Sequence, residues 1–94
     1  MKNKFELTDF INVKTVDTTK ADLVNRFKAR RKEMKLSQIE LANKSNVSYA
    51  SIRRFETSGE ISLDSLMKLA IAMDMISDFD NLFVKSKVTS IKDL

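Results

Sequence analysis

The sequence predicts an all-α domain of five helices, and three observations carry that prediction. The chain of 94 residues contains one Gly and no Pro, too few turn residues for a β-rich fold of this size. Its apolar residues, 43% of the total, recur at helical spacing in successive blocks. A Ser or Thr stands just ahead of each block, where a side-chain hydroxyl can accept from the free amides of a helix's first turn. The length suits one hydrophobic core rather than two lobes around a cleft.

Residues 1–19 carry Phe5, Leu7, Phe10, Ile11, Val13 and Val16 without a sustained helical period and read as an N-terminal arm. Thr19 with Asp22 resembles a capping pair, and Leu23, Val24, Phe27, the stem of Arg31 and Met34 follow at helical spacing, so a first helix is expected from about Lys20 to Met34. Ser37 is the natural N-cap of a second helix, with Glu40 completing a capping box. Ile39, Leu41 and Ala42 supply its inward side, and Asn46, able to sit at positive φ, ends it after Ser45. Ser48 caps a third helix over Tyr49–Glu56, which Thr57, Ser58 and Gly59 break. Ser62 caps a fourth, with Asp64 on its dipole and Leu63, Leu66, Leu69, Ala70 and Met73 in period. Ser77 caps a last short helix whose Phe79, Leu82 and Phe83 are expected to plug the core, and Met34, Met67, Met73 and Met75 read as apolar fillers. The organisation is an arm (1–19), a helical domain (20–84) and a basic tail (85–94) anchored by Val88 and Ile91.

Composition narrows the function classes. There is no Cys and no His, which removes thiolate chemistry, the usual zinc ligands and the side chain that titrates nearest neutral pH. No enzyme activity, cofactor or metal is therefore expected, and every carboxylate has a capping, ion-pair or surface explanation. No apolar run is long enough to span a bilayer, and Met1–Glu6 lacks the core of a signal peptide, so the expected location is cytoplasmic, away from membranes.

The net charge of +4 hides an asymmetry. Residues 20–54 hold ten Lys/Arg against Asp22, Glu33 and Glu40, whereas residues 55–84 hold only Lys68 against Glu56, Glu60, Asp64, Asp74, Asp78 and Asp80. A basic pole of this kind suits a polyanion, although charge alone does not separate that reading from ordinary solvated helix faces.

Two short helices crossing steeply need a small residue at their close approach, a turn residue tolerant of positive φ and apolar residues at fixed offsets. Ala42, Asn46 and the set Leu41, Val47, Ile52 and Phe55 provide these in order from Gln38. With them come the runs LSQ-x-ELA at 36–42, S-x-x-S-I-x-x-F-E at 48–56 and S-L-x-x-L-x-K-L-A at 62–70. Together these resemble the helix-turn-helix of the lambda-repressor-like (phage repressor/Cro, or XRE) superfamily, over roughly residues 21–84. Asn46 replaces the usual turn Gly, and Ser45 stands where an apolar residue is usual.

The resemblance implies that Tyr49–Glu56 lies in the major groove of DNA with its N-terminal half against base edges. The helical wheel agrees independently: with Ile52 and Phe55 inward, Ala50 and Arg54 point away, flanked by Ser51 and Arg53 and led by Ser48 and Tyr49. Arg54 is the first candidate base reader, its fork matching guanine O6 and N7, and Ala50 can meet a thymine methyl. Tyr49 has two readings, a phosphate hydrogen bond or packing against the domain. Arg53 reads as a phosphate contact, with a merely solvated side chain as the alternative. Gln38 matches the family residue that bonds a phosphate beside a helix's free amides. Lys44 and the group Lys28, Arg30, Lys32 and Lys35 read as solvated charges that add salt-dependent attraction. Arg31 and Glu56 occupy positions that in the family form a partly buried ion pair.

These features point first to a regulator of transcription, a homodimer on a palindromic operator of double-stranded DNA and a repressor in the first instance. A second reading adds a toxin protein partner, since the resemblance extends to HipB-like antitoxins, with residues 56–66 and Asp78–Asp80 as the partner surface. A third is a protein-interaction module that does not bind DNA.

Overall fold

The computed structural model describes residues 13–86, and the arm residues Phe5 to Ile11 and tail residues Val88 and Ile91 lie outside them. Four α-helices follow one another, α1 (Val16–Glu33), α2 (Gln38–Ser45), α3 (Tyr49–Ser58) and α4 (Leu63–Ala72), and a 3-10 helix over Ile76–Asn81 closes the described chain. There is no strand among the described residues, and no helix is long and apolar enough to cross a membrane.

Side-chain caps start each α-helix. Ser37, Ser48 and Ser62 accept from the backbone N–H groups of Glu40, Ser51 and Ser65, and Glu40 closes a capping box by accepting from the Ser37 N–H at 2.8 Å. Helix α1 corrects the expected boundary. It begins at Val16, capped by Thr15, whose hydroxyl accepts from the Thr18 N–H while the Thr18 hydroxyl accepts in return from the Thr15 N–H. The Thr15/Thr18 pair thus takes the role assigned to Thr19 and Asp22, and Val16–Thr19 form a first helical turn rather than the end of an arm.

Helix α3 runs two residues past Glu56. The Thr57 and Ser58 hydroxyls donate back to the carbonyls of Arg53 and Arg54, so residues that often break a helix are held within it. Gly59 then ends the helix at φ 79°, its N–H returning to the Phe55 carbonyl at 2.8 Å. A Cβ at Gly59 would meet the Lys20 Cβ at 3.0 Å, so α1 and the end of α3 come close because this residue has no side chain. Between α2 and α3, Asn46 holds φ 67° and its N–H donates to the Ala42 carbonyl at 3.0 Å. Ser45, which stands where an apolar residue is usual, is buried and accepts from the Val47 N–H at 3.1 Å, satisfying an amide that would otherwise be buried alone.

The core gathers Leu41, Val47, Ile52, Leu69, Ala72 and Met73, with Phe27, Leu36, Ala42, Ile61 and Met75 packed around it. Phe27 of α1 meets the buried Phe55 of α3 edge to face, ring centroids 5.1 Å apart. Several expectations fail, among them Ile39, placed on the inward side of α2 but 56% exposed. Ser77 caps nothing, since the 3-10 helix starts without a side-chain cap, and Leu82 and Phe83 lie outside the core, Phe83 at φ 61° and 98% exposed. Met34, the C-cap of α1, is likewise exposed, because the helix ends there and the chain turns through Lys35 at φ 59°.

Candidate nucleic-acid interface

Helices α2 and α3 and the turn between them form a helix-turn-helix whose angle is locked from both sides. Ile52 and Phe55 point into the core, and Glu56, although charged, is buried beside them. Its carboxylate takes three donors: Arg31 Nε to Oε2 at 2.8 Å, Arg31 Nη2 to Oε1 at 3.0 Å and Gln38 Nε2 to Oε1 at 2.8 Å. Arg31 spends Nη1 on the Leu36 carbonyl at 2.8 Å. One buried cluster therefore ties α1, the start of α2 and the end of α3 together. Gln38 belongs to this cluster through one of its amide N–H groups, which leaves its second N–H and its carbonyl oxygen for an outside partner.

The opposite face of α3 is open. Tyr49, Ala50, Arg53 and Arg54 are exposed, and Ser51 is half-buried. No acidic residue sits in the first turn of α3, so nothing there repels an anion approaching the positive end of the helix. Ser48 and Ser51 hydroxyls are hydrogen-bonded to each other at 2.8 Å, and Ser48 also caps the helix, so Ser48 serves the helix end first. The Arg53 guanidinium lies over the Tyr49 ring, 5.6 Å from its centroid. Arg54 shares a shallow depression with Ser51, Glu60, Ile61, Ser62 and Ser65.

Lys44, in the last turn of α2, is exposed. Of the flanking cations, Arg30 is engaged by Glu33 at 2.7 Å, and Lys32 and Lys35 are exposed on and just beyond the end of α1. The structure thus places Ser48, Tyr49, Ala50, Ser51, Arg53 and Arg54 at the cap and along the open side of α3, Gln38 at the start of α2 bonded to Glu56, Lys44 in the last turn of α2, Lys28, Arg30 and Lys32 on α1 and Lys35 just beyond its end.

Three relationships at this site are not read from the sequence. The Gln38–Glu56 bond joins residues 18 apart and needs the fold to be seen. So does the Lys20–Glu60 ion pair at 2.6 Å, which bridges α1 to the corner between α3 and α4. That bond lowers the Glu60 carboxyl below the usual carboxylate range, through its hydrogen bond to Lys20 first and the Lys20 charge second, and raises Lys20 in return. The Tyr49–Arg53 stack has a visible signal in its i,i+4 spacing.

Comparison with known proteins agrees with this geometry. A family model described as helix-turn-helix matches residues 27–77, more than half of the chain and the whole of α2, α3 and α4. No curated protein and no solved structure matches the chain.

Proposed function

The chain belongs to the helix-turn-helix family of the lambda-repressor-like, XRE type, a family of DNA-binding transcription regulators rather than enzymes, and from that premise we propose that it is a sequence-specific repressor reading the major groove with α3. The observation that carries the reading is the division of α3 into two faces. Its inward face is committed to core and ion pair, while Tyr49, Ala50, Arg53 and Arg54 face outward beside a helix end free of acidic residues.

In this reading Arg54 pairs with a guanine edge, Ala50 meets a thymine methyl and Ser51 donates or accepts at a neighbouring base. Gln38 and Ser48 fix the register against phosphates at the starts of α2 and α3, and Lys44 adds long-range attraction. One such helix reads only a few base pairs, so the protein acts as a homodimer on a palindromic cytoplasmic operator. Selection of bound fragments from random duplexes tests this: an enriched motif with two inverted half-sites is expected, and enrichment of nothing would sink the reading.

A second reading, that the regulator also holds a protein partner such as a toxin, is favoured by the end of the described chain. Leu82, Phe83 and Val84 are all exposed, one residue beyond the acidic stretch Asp78–Asp80, and clustered exposed apolar residues commonly mark a contact surface. Co-purification of a stoichiometric partner from the native host, lost on Phe83→Ser, separates this reading from the first.

A further inference from the structure

We propose that Tyr49 and Arg53 act as one preorganised phosphate clamp, in which the tyrosine ring holds the guanidinium in place and the guanidinium carries the charge to a backbone phosphate. The proposal rests on the DNA-binding reading and assigns Tyr49 as a positioning residue for Arg53.

Four observations support it. The guanidinium carbon lies 5.6 Å from the Tyr49 ring centroid, inside the range where a cation is attracted by a ring face. The two residues stand four apart on one exposed helix face, the spacing at which helical side chains meet. Arg53, like Arg54 and Lys44 beside it in the candidate interface, forms no ion pair among the described residues, so no carboxylate competes for its charge. A cation–π contact engages no hydrogen-bond acceptor, so the Arg53 guanidinium keeps N–H donors that can grip a phosphate in a bidentate pair.

The consequence is energetic. A free arginine loses rotamer freedom when it binds, and one already leaning on a ring loses less. Tyr49 is the first residue of α3, so the stack draws Arg53 toward the leading end of the helix, on the flank of the line through Ala50 and Arg54. That places the charge beside the base-reading line rather than on it, where the DNA backbone runs.

The chain has one Tyr and no Trp, so its intrinsic emission reports on Tyr49 alone. In the free full-length protein, Arg53→Met is expected to change that emission; an unchanged spectrum would overturn the preformed stack, whatever the DNA results. With the selected duplex, Tyr49→Phe should bind like wild type, and Tyr49→Leu about two- to five-fold more weakly per recognition helix. In an Arg53→Met background, Tyr49→Leu should then have no further effect. Arg53→Met should lower the slope of log affinity against log salt by about 0.9 per helix while the selected motif stays the same. Equal losses from Tyr49→Leu in both backgrounds, or a Tyr49→Phe variant as weak as Tyr49→Leu, would overturn the positioning role. A shifted motif for Arg53→Met would make Arg53 a base reader and overturn the clamp. If wild type binds no duplex, the DNA reading and the phosphate role fall together, and the emission result then separately decides whether the stack exists.

Discussion

Arg31 reaches across from α1 to grip both carboxylate oxygens of Glu56, and the pair is buried with each residue only 8% exposed. Its geometry has a direct mutational consequence. Removing one partner leaves the other charge buried and uncompensated, at a cost of about 3–5 kcal/mol, while replacing both with apolar residues of similar size costs much less. Urea denaturation should therefore show Arg31→Met and Glu56→Leu each strongly destabilised and the double variant partly restored. Additive losses would mean that the pair does not act as a unit.

The start of α1 distinguishes two threonines four residues apart. Thr15→Ala removes a cap that accepts from the Thr18 N–H and should lower stability by about 1 kcal/mol. Thr19→Ala lies within the helix on an exposed position and should be neutral or slightly stabilising. Thermal melts of the two variants test the helix boundary directly.

The Lys20–Glu60 pair predicts a pH dependence with a definite sign. Glu60 titrates below its ordinary value in the folded protein, so its contribution is present above the unfolded carboxylate value and is lost as pH falls through the folded one. Lys20 titrates above its ordinary value, so the same contribution is lost at the alkaline end, as pH rises through the folded Lys20 value. Melting temperatures of wild type and Glu60→Gln should differ most between those limits and converge beyond both. The pair is exposed, so the difference should be small and should shrink with added salt.

Arg54 carries the sharpest prediction about sequence reading. Arg54→Ala should lose about 1–3 kcal/mol against the selected duplex and relax its preference at one position in each half-site. Binding to scrambled duplex should fall far less, because nonspecific affinity is mostly phosphate attraction. Repeating the fragment selection with the variant measures this, and an unchanged motif would remove Arg54 from the base readers.

What could be read from the sequence, and what could not, follows from how local each signal is. The caps at Ser37, Ser48 and Ser62 and the left-handed Asn46 depend on one residue and its nearest neighbours, and the structure has each of them in that role. The true start of α1 is hard to read because Thr15 and Thr18 have the same three-residue spacing as Thr19 and Asp22, and Val16, 71% exposed, adds no apolar face to mark the earlier pair. The expected short helix after Ser77 would carry Phe83 inward. Its actual position depends on a 3-10 helix and a positive φ that an apolar pattern does not encode. The outward residues of α3 were visible because the wheel fixes direction once Ile52 and Phe55 are placed. How Gln38 divides itself between Glu56 and an outside partner was not visible, since that depends on where α2 and α3 cross.

The open face of α3 has one more consequence. Tyr49, Ala50 and Arg53 lie exposed on one face, with Arg53 set over the Tyr49 ring, and none of them belongs to the core or to the Arg31–Glu56 cluster. Substitutions there can accumulate without loss of folding, which leaves this surface free to change its target in evolution or by grafting while Ile52, Phe55, Arg31 and Glu56 hold the frame. On the proposed reading α3 is an interchangeable letter on a fixed key, and exchanging its outward side chains would redirect the protein to another operator while the frame stays folded.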